Sequence, residues 1–125
     1  MSQDISSRND LLMIVRDFYA LLFQSDDLKE FFEDFKDKEV LELHLETLVD
    51  FWDNTLFYSG SYKQNAMKPH IELHEKHQLN SAHFKQWLDL LTKAIDKNFT
   101  GVNAETMKNR ALSIATVMKL KFGIQ

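Results

Sequence analysis

Hydrophobic residues recur along the chain at spacings of three and four positions, and no strand-like alternation of apolar and polar residues competes with them. This period predicts helices that each bury one apolar face. The first helix is expected to begin after Ser7, because Ser7 and Asp10 form a Ser-x-x-Asp pattern close to a capping box, and to end before the polar residues 24–27. Its apolar stripe contains Leu11, Leu12, Val15, Phe18, Tyr19 and Leu22.

The middle of the chain predicts three further helical segments. A short apolar helix or turn covers residues 28–35, and a longer helix covers about residues 39–57 and stops at the Ser-Gly-Ser of 59–61. Another helix is expected with Asn65 as its N-cap and Pro69 near its first turn, where proline is tolerated. One face of that helix carries Met67, His70, Ile71 and His74.

The C-terminal third predicts two more helices. One begins near Ser81 and is stopped by Gly101, and the other begins after Asn103 and ends at Gly123. Their apolar faces contain Phe84, Trp87, Leu88, Leu91, Ala94 and Ile95 in the first, and Met107, Ala111, Ile114, Ala115 and Met118 in the second. The whole pattern predicts five or six helices, an all-α fold and no internal repeat.

Size and composition agree with one helical domain. The 125 residues fit a single domain over 1–125, with a core over about residues 8–122. Only 3 Gly and 1 Pro are present, so long helices with short connections suit the chain better than the many turns of a β-sandwich. The 10 Phe and 5 Met can fill a core or form the walls of an apolar pocket.

Several classes of protein are excluded or disfavoured by what the sequence lacks. The absence of cysteine excludes disulfides, cysteine-ligated zinc, iron–sulfur clusters and covalent c-type haem. Neither a signal peptide nor a membrane span is visible, so we expect a cytoplasmic protein that does not bind a membrane. The formal net charge of −4 gives no electrostatic case for binding nucleic acid.

Three of the five histidines, His44, His70 and His74, lie among apolar residues on predicted helix faces. A buried imidazole needs a hydrogen bond or a metal, so each one is either a satisfied core residue or a ligand. The spacing of His70 and His74 also fits a zinc ion, with His77 as a third ligand, and a zinc-binding helical protein therefore stays open. The sequence has no His-Glu-x-x-His motif, no Gly-x-Ser-x-Gly motif and no phosphate-binding glycine loop.

The order of the special residues is more specific than any one of them. It reads Phe18-Tyr19, Leu28-x-x-Phe31-Phe32, His44, Phe51-Trp52, Tyr62-Lys63-x-Asn65-x-Met67-x-x-His70-x-x-Leu73-His74, His83-Phe84-x-x-Trp87-Leu88, Phe99-x-Gly101 and Arg110-Ala111-x-x-Ile114-Ala115. In this order the residues resemble the truncated haemoglobins, most closely their third group, over about residues 11–120.

The resemblance implies a globin-like, two-over-two helical sandwich that holds haem b non-covalently. One histidine would bind the iron from the proximal side, and Phe32 would stack on the haem. Tyr19, His44 and Trp87 would lie on the distal side, where a hydroxyl, an imidazole or an indole N–H can donate a hydrogen bond to a bound diatomic ligand. Phe18 is expected to join them at the cofactor.

Two histidines compete for the proximal position. Following the pattern from the N-terminal side, the motif Asn65-x-Met67-x-x-His70 favours His70. The distance to the next helix favours His74, which lies 13 residues before Trp87, whereas His70 lies 17 residues before it. We therefore predict His74 as the metal ligand, with His70 as its rival.

The resemblance also implies a function. We expect binding of oxygen, nitric oxide or other small ligands, and nitric oxide dioxygenase-like or peroxidase-like chemistry with electrons from an external reductase. Two alternatives remain: a haem-free interaction module that keeps the globin fold, and the zinc-binding helical protein.

Overall fold

The computed structural model describes residues 3–60 and 78–124, and this part of the chain is built from four α-helices and one short 3-10 helix. They are α1 (Arg8–Gln24), the 3-10 helix (Lys29–Lys36), α2 (Lys38–Phe57), α3 (Ser81–Asp96) and α4 (Val102–Lys121). No strand occurs in the described ranges, where Gln3 and Phe99 form only an isolated bridge. The all-α prediction is confirmed there, and the helix predicted after Asn65 lies outside the described residues.

The start of α1 lies where the sequence places it. The side chain of Ser7 accepts the backbone N–H of Asp10 at 3.2 Å, which satisfies one of the donors that a helix leaves open at its first turn. The carboxylate of Asp10 reaches back one residue beyond the N-cap, to the N–H of Ser6 at 2.9 Å. The predicted cap is therefore present, although its return bond goes to Ser6.

Helix α2 begins one residue before the predicted start because Asp37 caps it. The Asp37 carboxylate accepts the N–H groups of Glu39 at 3.0 Å and Val40 at 3.3 Å. The helix ends at Phe57, as predicted, where Tyr58 takes a left-handed conformation with φ of 55°.

The start of α3 is closed by a reciprocal cap. The side chain of Asn80 accepts the N–H of His83 at 3.0 Å, and Nδ1 of His83 accepts the N–H of Asn80 at 3.1 Å. Helix α3 therefore starts at Ser81, as predicted, and its last residue is Asp96, short of the expected stop at Gly101.

Helix α4 begins at Val102, before the predicted start after Asn103. Its first turn is capped from far away in the sequence, because the carboxylate of Asp4 accepts the N–H of Asn103 at 2.9 Å and that of Ala104 at 3.0 Å. A cap supplied by a distant residue leaves no signal in the residues next to the helix, so the sequence pattern does not predict it.

Helix α1 lies at the centre of the packing. It packs against α2 and α3, while α3 also packs against α4, and the 3-10 helix rests on α1 and α2. The core reaches Ile5, ahead of α1, and its most deeply buried side chains include Leu11, Ile14, Leu22, Leu45, Ile95 and Met107. None of the helices in the described ranges combines the length and the apolar composition that a membrane-spanning segment requires.

Two arginines on α1 fix its alignment with α2. Arg8 forms ion pairs with Asp50 at 2.7 Å and Asp53 at 3.1 Å, and Arg16 pairs with Glu42 at 2.6 Å. Residues further along α1 meet earlier residues of α2, so the two helices run antiparallel. This alignment brings the end of α1, with Phe18 and Tyr19, against the first half of α2.

Candidate functional site

Phe18 and Tyr19 turn to different neighbours from adjacent positions on α1. Successive side chains on an α-helix are rotated by about 100°, so two consecutive residues face different elements. The ring of Phe18 meets Trp87 of α3 edge to face, with centroids 5.9 Å apart. The ring of Tyr19 meets His44 of α2 at 5.3 Å. Both α1 side chains are buried.

The polar centre of the site is the contact between Tyr19 and His44. The hydroxyl oxygen of Tyr19 lies 2.6 Å from Nε2 of the half-buried His44, and which of the two donates depends on the histidine tautomer. Burial raises the pKa of Tyr19 far above that of an ordinary phenol, since the phenolate would be charged in an apolar surrounding. Tyr19 therefore stays a neutral hydroxyl over the whole physiological range.

Phenylalanines surround Tyr19 with the edge-to-face contacts that aromatic rings prefer. Phe32 lies 5.5 Å from the Tyr19 ring, Phe35 lies 5.9 Å away and Phe23 lies 6.1 Å away, all measured between centroids. Phe32 is buried and has non-helical backbone angles, φ −117° and ψ 18°, which interrupt the 3-10 helix. This break separates the two turns that carry Phe31 and Phe35.

Phe35 makes a second contact, which the sequence analysis missed. Its ring lies flat on that of His44, with centroids 4.1 Å apart and an interplanar angle of 16°. The spacing of Leu28, Phe31, Phe32 and Phe35 predicted an apolar stripe. Nothing in that spacing distinguished the ring that stacks on His44 from the rings that contact other neighbours.

A hydrogen bond next to Trp87 fixes α3 to the end of α1. The side-chain amide of Gln86 donates to the hydroxyl of Ser25 at 2.9 Å, and the same hydroxyl accepts the N–H of Leu28 at 3.3 Å. Ser25 is buried just after α1, so this contact joins α1, the 3-10 helix and α3 at one point. It also holds the turn of α3 that carries Trp87.

Five of the six predicted cofactor residues form one continuous set of ring contacts. The set runs from Trp87 through Phe18 to Tyr19, and from Tyr19 to Phe32 and His44. The sixth residue, His74, lies outside the described residues, as do its rival His70 and the third zinc candidate, His77. Among the described residues, no group of three or more His, Asp or Glu side chains could hold a metal ion.

The chemistry of these side chains suits a flat apolar cofactor that carries a small ligand. Aromatic rings provide apolar surface for a large planar group, while the Tyr19 hydroxyl and the His44 imidazole add two polar groups at one point of that surface. Sites of this composition bind a ligand mainly by burial and orient it by a few polar contacts.

Comparisons with known proteins agree with this geometry. The model of the family described as bacterial-like globin matches residues 3–122. The crystal structure of group III truncated hemoglobin from Campylobacter jejuni is similar in fold, with a TM-score of 0.86 and 19% sequence identity, and the match covers 98% of this chain and 95% of that one. No curated protein matches the sequence. The chain therefore belongs to the bacterial-like globin family, whose members bind haem, and it has the globin-like fold of a truncated haemoglobin that its sequence predicted.

Proposed function

We propose that this globin binds haem b non-covalently beside the Tyr19–His44 pair, with His74 as the iron ligand, and that it binds oxygen, nitric oxide or another diatomic molecule. The aromatic set fits the cofactor, since Phe18 and Phe32 offer buried apolar surface next to the paired polar groups. When bound, haem supplies an iron with one position for the histidine and one for a small ligand. A cytoplasmic location is part of the proposal, and the lack of cysteine is compatible with it.

The observation that carries the proposal is the buried, neutral hydroxyl of Tyr19. A phenol in a site with little water keeps its proton, and it donates that proton to an acceptor more strongly than it would in water. A diatomic ligand that drew electron density from the cofactor would carry partial negative charge, and the Tyr19 hydroxyl would stabilise that charge as a hydrogen-bond donor. Tyr19 is therefore suited to donate a hydrogen bond to a ligand on the distal side.

His44 determines where the Tyr19 proton points. When Nε2 of His44 carries no proton, the hydroxyl of Tyr19 donates to it across the 2.6 Å contact. When Nε2 carries the proton, His44 donates to the Tyr19 oxygen, and the Tyr19 proton turns towards the pocket. The pair can therefore present a donor to a ligand without placing a charge in the buried site.

Trp87 adds a third donor on the proposed distal side. Its indole N–H can only donate, and its ring is packed against Phe18. Three donors favour slow release of oxygen, which suits chemistry better than delivery. The proposal therefore extends to nitric oxide dioxygenase-like or peroxidase-like turnover, with electrons supplied by a separate reductase.

Absorption spectroscopy of the full chain tests the cofactor and its ligand together. The chain is titrated with hemin, and spectra are recorded in the ferric, ferrous and CO-bound forms. We expect a Soret band at one haem per chain, its loss or weakening in His74→Ala and its retention in His70→Ala. His83→Ala is the matched control, because it also removes a histidine. Nδ1 of His83 accepts a backbone N–H at the start of α3, so we do not expect this histidine to bind the iron.

Each other outcome has a defined meaning. Normal haem ligation in His74→Ala, together with loss of ligation in His70→Ala, would show that His70 and not His74 is the iron ligand. A folded chain that takes up no hemin would overturn the haem proposal and support the interaction module. Zinc at one atom per chain in the purified protein would support the histidine zinc site.

A further inference from the structure

Phe35 contacts both members of the Tyr19–His44 pair, and it does so in two different ways. It lies flat on the imidazole of His44, at 4.1 Å and 16°, and it meets the ring of Tyr19 edge to face, at 5.9 Å and 83°. Tyr19 and His44 themselves cross at 69°. The three rings thus form a closed group in which each ring touches the other two.

The flat contact involves the less buried member of the pair. Tyr19 is buried inside the core, whereas His44 is only half-buried and lies on the solvent side of the pair. An imidazole turns about two side-chain bonds, and its second torsion is broad, so the plane of a partly exposed ring depends on the neighbours that contact it. A flat aromatic neighbour favours one of these planes because tilting the ring loses the stacked contact.

The position of Phe35 in the fold explains why it can act in this way. It belongs to the second turn of the 3-10 helix, after the break at Phe32, while His44 belongs to α2, which begins at Lys38. The segment between them contains Asp37, whose carboxylate caps α2. Asp37 is thus both the residue that follows the 3-10 helix and the N-cap of α2, so the two elements that carry the stacked rings are joined by one residue with a defined conformation.

We propose that Phe35 is a positioning residue that holds the His44 ring in the plane where Nε2 meets the Tyr19 hydroxyl. Phe35 has no polar atom and donates nothing to a ligand. It acts by keeping His44 in one orientation, so that the hydrogen bond between Nε2 and the Tyr19 hydroxyl persists. A persistent hydrogen bond at Nε2 favours one tautomer, which sets the direction of the Tyr19 proton. Its use in ligand binding rests on the proposed function, whereas its effect on His44 does not require haem.

Nuclear magnetic resonance of the histidine ring tests the proposal directly. Long-range proton–nitrogen correlation spectra of the full chain, with and without added hemin and CO, report the tautomer of His44. We expect one tautomer and a slowly exchanging proton between Tyr19 and His44. In Phe35→Leu the two nitrogen shifts of His44 should move towards each other and the slow proton should be lost. Phe35→Tyr, which keeps a flat ring, should restore both signals.

Phe23→Leu is the matched control. Phe23 is also a half-buried phenylalanine in edge contact with Tyr19, at 6.1 Å, so its replacement removes a similar neighbour of Tyr19. This variant should keep the His44 signals of the parent chain. Circular dichroism verifies the fold of each variant, and Phe35→Met, which keeps volume without a flat face, replaces Phe35→Leu if that variant does not fold.

The outcomes separate this inference from the proposed function. Unchanged His44 signals in folded Phe35→Leu, or equal changes in Phe23→Leu, would overturn the positioning role even if haem binds normally. A chain that binds no hemin yet loses its single His44 tautomer in Phe35→Leu would leave the positioning role standing and remove the haem proposal. In the CO-bound chain, we expect the C–O stretching band to broaden or split in Phe35→Leu and to stay narrow in Phe23→Leu.

Discussion

The carboxylate of Asp4 accepts the backbone N–H of Ala104 at 3.0 Å, although a hundred residues separate the two in sequence. The same carboxylate accepts the N–H of Asn103, and the side chain of Asn103 donates to the carbonyl of Ile5 at 2.7 Å. These bonds close the first turn of α4 with a negative charge, which also interacts favourably with the positive end of the helix dipole. The segment before α1 is therefore part of the fold.

Replacing Asp4 should destabilise the protein although Asp4 lies far from the aromatic site. Asp4→Ala removes both acceptors at the start of α4, and loss of an aspartate cap costs about 0.5–2 kcal/mol. We expect the free energy of unfolding, measured by urea titration, to fall by an amount in this range. Asp26→Ala is the control, since the Asp26 side chain is 93% exposed and pairs only at the surface with Lys29. Equal losses in the two variants would contradict the capping role.

The acid stability of the protein should also depend on Asp4. Burial alone would raise the pKa of Asp4, but the hydrogen bonds from the N–H groups of Asn103, Ala104 and Ile5 outweigh it and lower the pKa below its ordinary value. A lowered folded-state pKa gives a contribution that is present above the unfolded-state pKa, about 4, and is lost as the pH falls through the folded value.

We therefore expect Asp4→Asn to be less stable than the parent chain at neutral pH and to lose less stability on acidification below about pH 4. Denaturant titrations at a series of pH values measure both effects. Parallel stability curves for the two proteins in acid would show that Asp4 does not titrate with unfolding.

Features with a signal next to them in the sequence were predicted well. Ser7 marks the start of α1 and Ser81 the start of α3, because a cap or a change of apolar period identifies a helix boundary. In the site, the family resemblance assigned Tyr19 and His44 to the same side of the cofactor, but it did not predict the contact between them. Periodicity alone placed the two residues only on separate apolar faces.

Features set by distant partners were not predictable in this way. Asp4 looks like any acidic residue near a chain start, and only the fold brings it to α4. Phe35 lies in the same apolar stripe as Phe31 and Phe32, and the break in the 3-10 helix at Phe32 sends the rings to different neighbours. A backbone break of this kind has no counterpart in the spacing of apolar residues.

Tyr19→Phe should speed the release of oxygen from the haem-loaded protein. The variant keeps the ring and its contacts with Phe18 and Phe32 but loses the hydroxyl, so packing changes little. A hydrogen bond is worth about 0.5–1.5 kcal/mol in net terms, which corresponds to dissociation faster by roughly twofold to tenfold, or more for a charged acceptor.

Stopped-flow measurement of oxygen dissociation gives this rate. Tyr58→Phe is the control, because Tyr58 is 89% exposed at the end of α2 and loses the same hydroxyl away from the pocket. A dissociation rate in Tyr19→Phe equal to that in Tyr58→Phe would mean that Tyr19 does not donate to the ligand.

Arg8 should couple more strongly to Asp53 than to Asp50, although its contact with Asp50 is the shorter one, at 2.7 Å against 3.1 Å. The Asp53 side chain is only 12% exposed, whereas that of Asp50 is 37% exposed. Solvent therefore screens the pair of Arg8 with Asp50 more than the pair of Arg8 with Asp53. We expect a coupling energy of about 1 kcal/mol with Asp53 and a few tenths with Asp50.

Double-mutant cycles with Arg8→Ala, Asp50→Ala and Asp53→Ala measure the two coupling energies. Repeating the cycles in 1 M salt distinguishes an exposed ion pair, which salt weakens, from a partly buried pair, which salt weakens less. The coupling with Asp50 should largely vanish in salt, and that with Asp53 should persist in part. A larger coupling with Asp50 would mean that distance, and not burial, controls the strength of these pairs.

Gly101→Ala should be more harmful than alanine at Gly123, although both glycines have positive φ. Gly101 has φ of 146°, and a Cβ there would lie 2.5 Å from Cγ and 2.6 Å from Cβ of Asp4. Gly123 has φ of 69°, in the left-handed region, with nothing within 4 Å of an added Cβ. Alanine at Gly123 therefore meets only backbone strain, about 1–2 kcal/mol.

Alanine at Gly101 meets greater backbone strain, because φ of 146° with ψ of −169° is a conformation that almost only glycine adopts, and it also displaces the carboxylate that caps α4. We expect its cost to exceed that of Gly123→Ala by about 1 kcal/mol or more, the value of a lost aspartate cap. Urea titration of the two variants measures the difference. If Gly101→Ala also loses the acid dependence contributed by Asp4, the clash has removed the cap; equal stability of the two variants would mean that the segment around Asp4 yields to the new methyl group without loss.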